Sequence, residues 1–338
     1  MKKIMIVNLA AKYGGALTIL EEFYNMAKLD KSNEYIFVIS TPSLENQMNI
    51  TVLNFPWVKN SWLHRLFFDN FTIKHIIHEH NPDEVLSLQN LLIKHFRGHQ
   101  SIYIHQPLPF SKVSFSIIKE PKLWFYRYIY KVLLTRSINN AEKIIVQTEW
   151  MKNAVRQLLR NNRATIDVRR PVLNLSFDKY ENNNVVKNDL VRFFYPSSPV
   201  IYKNHRLIFE ALREIDVHLL KSCQFIFTLE GNENVWIKKI NNLAKKKNLD
   251  VVFIGKLNKE EMLSYYKSSI LIFPSFIETF GLPLLEAKAL NVPIIASDLP
   301  FSREVLGDYA KVDYIDPFDK CSLIKAMDKF INSERKVI

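Results

Sequence analysis

The feature that most constrains the fold of this chain is a steady alternation of short apolar runs with amphipathic stretches. Buried strands produce the first pattern, and helices that cover a sheet produce the second. Repeated strand–helix pairs are typical of a parallel β-sheet with helices on both faces. The predicted strands are 4–9, 35–39, 84–88, 101–104 and 143–147, then 192–195, 224–229, 251–254, 270–273, 293–296 and 310–312. The predicted helices are 16–28, 63–80, 121–137, 151–159, 205–215, 235–247, 259–268, 283–290 and 320–332.

The alternation is interrupted once, in a polar and Asn-rich stretch, where we expect a linker at 176–190. The chain of 338 residues then divides into a domain at 1–175 and a second domain at 191–320, each long enough for its own core. Residues 321–338 are expected to form a C-terminal helix that packs back across the domains. The predicted fold class is α/β, with two doubly wound, Rossmann-like domains facing a central cleft. Ligands are expected in that cleft, at the carboxyl ends of the strands.

The charge of the chain is uneven. Lys and Arg total 46 against 34 Asp and Glu, so the net charge is +12. Residues 1–175 hold 23 basic and 13 acidic residues, whereas the second half is nearly neutral. A basic half fits an anionic partner, such as a phosphorylated substrate, an anionic membrane surface or a nucleic acid. It fits a merely solubilising surface equally well.

Two cysteines, Cys223 and Cys321, exclude a disulfide framework and a cysteine-rich metal centre. This composition fits a reducing compartment. The apolar start at 4–9 soon meets Lys12 and a Gly-Gly pair, so we interpret it as a buried strand rather than a signal peptide. No apolar run approaches the roughly 18 residues that a membrane span needs. We expect a cytoplasmic protein, soluble or peripheral on the inner face of the membrane.

The segment after the predicted strand 270–273 contains the densest group of candidate functional residues. A loop carries Glu278 and Gly281, and Pro283 suits the first turn of the next helix, which carries Glu286. Backbone N–H groups from Phe280 to Leu284, Pro283 excepted, would form an anion site at that helix start. Two carboxylates beside an anion site are poor phosphate ligands but good acceptors for sugar hydroxyls. The alternative is a loop cap and a solvated helix residue.

This segment resembles the E-x7-E signature of the retaining, GT-B-fold glycosyltransferases of family 4, the glycosyl transferases group 1. Residues 289–298, 303–307 and 316–317 also resemble that family. The resemblance implies that Glu278 contacts the donor sugar and that Glu286 holds the nucleotide ribose. It also implies that the backbone at Phe280, Gly281 and Leu282 binds the donor nucleotide.

Further matches lie earlier in the same half. We expect Asn204 to cap the helix 205–215, directly after Lys203. The resemblance places Lys203 against the nucleotide diphosphate, where it would stabilise charge on the leaving phosphate. The family pattern has an Arg five residues earlier, where this chain has Ser198, and the basic residue that replaces it is left open. Gly231 and Gly255, after two strands, resemble the floor and base-binding wall of the nucleotide pocket.

The first half has two candidate sites at strand ends. Gly14, Gly15 and Ala16 follow the first strand and resemble the family's acceptor and diphosphate loop, although a tight structural turn explains them equally well. His105 follows the strand 101–104 and resembles the His that contacts the donor sugar; a purely structural His is the alternative.

The stretch 121–131 mixes aromatic and basic residues without an acidic one, which suits a membrane interface. A partly buried helix is the simpler interpretation, and membrane contact is our second hypothesis.

The resemblance, together with these features, implies a retaining, metal-independent transferase. It would move a hexose or N-acetylhexosamine from a nucleotide-sugar, with UDP favoured, to a saccharide acceptor linked to a polyprenyl diphosphate, in bacterial O-antigen or capsule synthesis. The chain lacks Asp-x-Asp, so we expect no metal and no cofactor. The alternatives are a GDP-mannose-dependent mannosyltransferase, a non-catalytic sugar-nucleotide-binding scaffold, a nucleic-acid-binding protein and a glycosidase. No nucleic-acid motif and no convincing acid–nucleophile pair support the last two.

Overall fold

The computed structural model describes residues 1–11, 14–160, 163–172 and 190–335. The chain divides into two compact units, Met1–Pro171 and Val172–Ile338. The linker predicted at 176–190 lies, except for Leu190, outside the described residues.

In the first unit, the described strands form one parallel sheet. They are β1 (Lys3–Asn8), β2 (Glu34–Ile39), β3 (Ile50–Asn54), β4 (Glu84–Ser87), β5 (His99–Ile104), β6 (Lys143–Val146) and β7 (Thr165–Val168). The helices are α1 (Gly15–Leu29), α2 (Trp62–Phe67), α3 (Ile73–His80), α4 (Pro121–Asn140) and α5 (Glu149–Arg156). The strand order is β3-β2-β1-β4-β5-β6-β7, so the chain reverses direction across the sheet between β1 and β4.

Both faces of this sheet are covered, as the unbroken apolar strands predict. Side chains alternate along β1, so that Ile6 packs against Leu20 and Phe23 of α1 on one face. Val7 faces the other side, where Ile73 of α3 covers it.

The second unit repeats this design. Its described strands are β8 (Val191–Tyr195), β9 (Cys223–Phe227), β10 (Asp250–Phe253), β11 (Ile270–Phe273), β12 (Ile294–Ser297) and β13 (Val312–Ile315). Its helices are α6 (His205–Glu214), α7 (Val217–Leu220), α8 (Val235–Lys247), α9 (Lys259–Lys267), α10 (Leu282–Ala289), α11 (Pro300–Leu306) and α12 (Lys320–Arg335). The strands are parallel in the order β10-β9-β8-β11-β12-β13. Here β8 and β11 are the neighbours at which the chain reverses direction.

Stacked aromatic rings tie the strands of the second sheet together. The rings of Phe193 and Phe225 lie 5.2 Å apart between centroids, and those of Phe227 and Phe253 lie 5.4 Å apart. Such pairs stabilise a core beyond their buried area. A rigid sheet gives the loops at its carboxyl edge a fixed base.

The parallel α/β architecture is confirmed, with local differences. The edge strands β3 and β7 were not predicted, and β13 lies at Val312–Ile315 rather than 310–312. The helix predicted at 63–80 is divided by a π-helical turn at Phe68–Thr72. The described part of α12 packs against α6 and β13 of its own unit.

Candidate active site

The loops after β8 and β11 are joined by hydrogen bonds in the second unit. The hydroxyl of Tyr195, the last residue of β8, donates to the carbonyl of Lys203 at 2.6 Å and lies 3.2 Å from Ser275 Oγ. The backbone N–H of Phe276 donates to the carbonyl of Tyr202 at 3.0 Å. Because the two strands are adjacent and parallel, both loops leave the sheet at the same edge.

Asn204 fixes the same region from inside the fold. Its backbone is left-handed, with φ 62°, and its side chain is buried. The amide donates to the carbonyl of Pro274 at 3.1 Å and to that of Pro317 at 2.7 Å. The prediction that this side chain caps α6 is therefore wrong, since its amide joins the loops after β8, β11 and β13 instead.

Lys203 and Glu278 form an ion pair in this frame. Both side chains are largely shielded, with 14% and 13% of their surface exposed. The ammonium also lies 5.3 Å from the centroid of the Phe273 ring. The fold thus brings together two residues that are 75 positions apart in sequence. Lys203 was predicted to bind a phosphate, and Glu278 was predicted to accept from sugar hydroxyls.

The start of α10 has the geometry of a tight turn. Gly281 adopts φ 91°, where a side chain is strained, and an added Cβ would lie 3.3 Å from Leu284 Cδ1. The N–H of Leu284 donates to the carbonyl of Gly281 at 2.9 Å. The inclusion of Leu284 among the anion-binding donors is therefore wrong. Phe280 is buried and Leu282 half-buried at this turn.

Glu286, on α10, is held by a residue that the sequence did not point to. The hydroxyl of Tyr266, buried on α9, donates to Glu286 Oε2 at 2.8 Å. Burial raises the pKa of Glu286, while the Tyr266 hydrogen bond and the charge of Lys259 act in the opposite direction. A buried carboxylate whose pKa is raised by its surroundings is a functional-site signal.

The remaining predicted nucleotide-binding residues lie along the same sheet edge. The N–H of Gly255, just after β10, donates to the carbonyl of Leu229 after β9 at 3.0 Å. Gly255 has φ 69°, and an added Cβ would lie 2.9 Å from Glu230 Oε1. Gly231 is buried in the loop after β9, and Ser198 is exposed in the loop after β8.

The N-terminal candidates belong to the first unit and its own sheet edge. Gly14 precedes α1, its carbonyl accepts from the N–H of Leu17 at 2.9 Å, and Gly15 and Ala16 begin the helix. His105 follows β5, and its N–H donates to Asn90 Oδ1 at 2.7 Å. Asn90 also lies in the left-handed region and was not predicted. A polar residue with positive φ after a strand is the signal common to Asn90 and Asn204.

Two buried polar atoms at this edge lack a hydrogen-bond partner among the described residues. They are Asn8 Nδ2, at the end of β1, and His105 Nδ1. Burial lowers the pKa of His105 to about 4, so its imidazole is neutral at neutral pH. Unpaired buried polar atoms are costly and are common where a ligand supplies the missing partner.

Within the described ranges, no group of three or more His, Cys, Asp and Glu side chains is placed to hold a metal ion. No described helix is both long and apolar enough to cross a membrane.

The comparisons with known proteins agree with this geometry. Residues 176–337 match the family model described as Glycosyl transferases group 1. An uncharacterized glycosyltransferase of Methanocaldococcus jannaschii is 28% identical over 186 residues, which cover 54% of this chain and 46% of the relative. The O-antigen chain mannosyltransferase RfbU of Salmonella typhimurium is 40% identical over 73 residues, which cover 21% of this chain and 20% of RfbU. The chain thus spans less than half the length of these two relatives.

Among solved structures, Anabaena HepE in complex with UDP and glucose is similar over 99% of this chain and 91% of its own. The TM-score is 0.69 at 14% sequence identity. This likeness shows the GT-B fold, two parallel-sheet, Rossmann-like units.

Proposed function

Because residues 176–337 match the model of the glycosyl transferases group 1 family, we propose that this protein transfers a sugar from a nucleotide-sugar to a saccharide acceptor. The observation that carries the proposal is the Lys203–Glu278 pair, held at the carboxyl edge of the second sheet beside α10. A cation and a carboxylate at one point match a diphosphate-linked sugar, which has phosphate charge on one side of the bond to be broken and hydroxyls on the other.

Lys203 is proposed to bind the diphosphate. Phosphate oxygens compete with Glu278 for the ammonium, and negative charge grows on them as the glycosidic bond breaks. The backbone at Gly281 supplies further donors at the start of α10. This electrostatic set takes the role that a divalent metal has in other transferases, so we propose a metal-independent reaction without a cofactor.

The two carboxylates are proposed to accept hydrogen bonds from hydroxyls. Glu278, released from Lys203 by the diphosphate, accepts from the donor sugar. Glu286 accepts from the ribose, and Tyr266 holds its carboxylate in place through the hydroxyl at 2.8 Å. Charged acceptors make stronger hydrogen bonds than neutral ones. Gly231, Gly255 and Ser198 are proposed to line the rest of the nucleotide site.

The proposed step breaks the bond between the anomeric carbon and the phosphate oxygen and forms one to the acceptor oxygen. The acceptor proton passes to the leaving phosphate on the same face, which retains the anomeric configuration. The nucleoside diphosphate and the glycosylated acceptor are the products.

The first unit is proposed to bind the acceptor. Asn8 Nδ2 is unpaired among the described residues and can bond to acceptor hydroxyls. His105 Nδ1 is also unpaired among them, and we keep for His105 the proposed contact with the donor sugar. The loop Gly14–Ala16 can approach a diphosphate closely. We propose an acceptor linked to a polyprenyl diphosphate at the cytoplasmic membrane face, in O-antigen or capsule synthesis.

The donor is proposed to be a UDP-sugar. GDP-mannose is the second candidate, which the similarity to an O-antigen chain mannosyltransferase favours.

Thermal unfolding with UDP-, GDP- and ADP-sugars tests donor binding. A ligand at about 100 times its Kd stabilises the folded state by about 2.7 kcal/mol. We expect the sugars of one nucleotide class to raise the Tm of the wild-type chain. The same sugars should raise the Tm of Glu286→Ala much less. No shift with any of these donors would contradict the proposal, and equal shifts in both proteins would contradict the role of Glu286.

A further inference from the structure

The first unit exposes an unusually large set of apolar side chains. Twelve of the twenty large apolar side chains exposed in the described residues lie between Trp62 and Leu133. Five belong to α2 and the turn after it: Trp62, Leu63, Leu66, Phe67 and Phe71. Seven belong to α4 and the segment before it: Ile117, Ile118, Phe125, Tyr128, Ile129, Val132 and Leu133. We name these twelve residues the apolar face.

The two parts of the apolar face lie on the same side of the sheet. Val7 pairs with Ser87, and Ser87 pairs with Ile102, so these three side chains point to one side. Helix α3 covers Val7, and α4 covers Ile102. Helices α3 and α4 therefore lie in one layer, and α2 leads into α3 through the turn Phe68–Thr72, whose Phe68 packs in the same cluster as Val7.

An electrostatic effect also indicates that α2 and α4 lie near each other. Burial raises the pKa of Tyr130, on α4, and the charge of Arg65, on α2, lowers it in turn. The two helices are thus within electrostatic reach of each other.

The exposure of these residues is high for a folded unit. Trp62 is 70% exposed, and Ile118 is 88% exposed. Water would be excluded from several hundred Å² of apolar surface if a partner covered them, and patches of this kind mark interaction surfaces.

The surroundings of the apolar face are basic. Residues 112–136 contain six basic residues and one acidic residue, Glu120. Glu120 accepts a hydrogen bond from the backbone of Ser116, and Asp69 beside α2 pairs with Arg65. Asp69 is therefore paired with a cation of α2, and Glu120 is the one carboxylate of residues 112–136.

A groove of about 670 Å³ runs along α4 and is lined by three of these six basic residues. Its lining includes Arg127, Lys131, Arg136 and Arg160, and no lining residue is acidic. Tyr128 and Val132 belong to both the groove and the apolar face. Apolar and cationic groups therefore share one exposed side of α4.

We propose that the apolar face docks on an anionic lipid bilayer, with the groove along α4 binding lipid phosphates. Aromatic and aliphatic side chains enter the boundary between headgroups and acyl chains, and the cations bind the phosphates around them. Charge complementarity selects this partner, since the groove offers cations without carboxylates and anionic headgroups offer the reverse. The proposal does not depend on the donor or on the transfer reaction.

Vesicle flotation without any sugar nucleotide tests it. The full chain should float with phosphatidylglycerol-containing vesicles, less with pure phosphatidylcholine, and less at high salt because the charges are screened. The double variant Phe67→Ser/Ile129→Ser should bind about tenfold or more weakly. Lys131→Gln/Arg136→Gln should bind more weakly only to the anionic vesicles, by about tenfold.

The matched control lies in the second unit. Val235 and Phe318 are 62% and 63% exposed, so Val235→Ser/Phe318→Ser removes similar apolar surface elsewhere. It should float like the wild type, and all variants should keep the wild-type Tm. A failure of vesicle binding, or equal loss in the control, would overturn the proposal. Dimerisation that Phe67→Ser/Ile129→Ser abolishes, without vesicle binding, would assign the face to a second copy of the chain instead.

Membrane entry has its own optical readout. The exposed Trp62 should shift its fluorescence to shorter wavelength and be quenched by brominated lipid. Trp62→Phe should reduce that signal to the part contributed by Trp124 on α4, while flotation persists. Unchanged fluorescence in floated protein would contradict insertion of α2.

Discussion

Glu286 is a residue whose burial works against the stability of the fold. Its carboxyl is buried enough for its pKa to rise above the ordinary value of 4.5, with Tyr266 and the charge of Lys259 offsetting only part of the effect. An ionised carboxylate here costs stability, and under the proposed function a ribose hydroxyl gives it a further donor besides Tyr266. A carboxylate at this position therefore fits a binding site better than a purely structural helix.

The sign of the pH effect follows from linkage. The folded-state pKa of Glu286 is raised, so between 4.5 and that value the folded chain holds more protons than the unfolded chain. The contribution of Glu286 to stability therefore falls as pH rises through this window and is constant above it. Glu286→Gln removes this loss and keeps an oxygen that can accept from Tyr266.

We expect the Tm of Glu286→Gln, relative to the wild type, to increase from acidic to neutral pH and then to level off. Differential scanning calorimetry across this range is the measurement. The control is Glu45→Gln, because Glu45 is an exposed carboxyl of the other unit. A Tm difference for Glu286→Gln that stays flat with pH, or that falls, would show that burial of Glu286 is not the destabilising factor.

At the scale of elements, the site depends on contacts between loops. The carbonyls of Pro274 and Pro317 both accept from the Asn204 amide, so one side chain holds three loops in register. The Tyr195 hydroxyl and the Phe276 backbone add two more links between the loops after β8 and β11. The backbone position of Lys203 is thus fixed by the hydrogen bonds of its neighbours Tyr202 and Asn204 and by the Tyr195 hydroxyl.

Asn204→Gly isolates the hydrogen bonds of this element, because glycine keeps the left-handed backbone at no steric cost. Two buried carbonyls lose their partner, so we expect a loss of about 1–3 kcal/mol in the free energy of unfolding, measured by urea denaturation. Asn248→Gly is the control, because Asn248 has φ 51° and is exposed. Equal stabilities of the two variants would mean that the Asn204 amide does not hold the loops. Asn204→Ala should be less stable than Asn204→Gly, since alanine adds backbone strain.

The same element shows what a sequence can reveal. The central strands were predictable because both of their faces are buried and apolar residues predominate in them. The edge strands β3 and β7 were missed, since they are short and partly exposed. Glu278, Gly281 and Glu286 lie in one contiguous motif, so the sequence alone could group them. Lys203 was also predicted, but its pairing with Glu278 depends on strand order, and the contact of Tyr266 with Glu286 depends on helix packing. Local sequence patterns do not encode either contact. Asn204 was predicted to be a cap because an Asn side chain before a helix can accept from its first N–H groups. The same side chain can instead donate through its amide N–H groups to neighbouring loops, as it does here.

At the scale of the whole molecule, two units share one design. Each is a parallel sheet whose chain reverses direction at a central pair of strands, β1 and β4 or β8 and β11. Each keeps its candidate residues at the carboxyl edge, where backbone N–H groups and loop side chains converge. The units differ in surface: the first has the apolar face and most of the net positive charge, and the second has the buried ion pair and the carboxylates. We infer a division of labour in which the first unit meets the acceptor and the membrane and the second holds the donor.

The release of nucleoside diphosphate by the purified full chain, with a nucleotide-sugar and a saccharide acceptor, tests the central claim most directly. The account predicts release that depends on the acceptor, continues in the presence of a metal chelator and accompanies a product of retained anomeric configuration. Glu286→Ala should fold normally and be slower by about tenfold to 100-fold, the loss of one charged hydrogen bond. The claim would be contradicted if the wild type released no nucleoside diphosphate from any UDP-, GDP- or ADP-sugar tried. It would also be contradicted if Glu286→Ala released it at the wild-type rate.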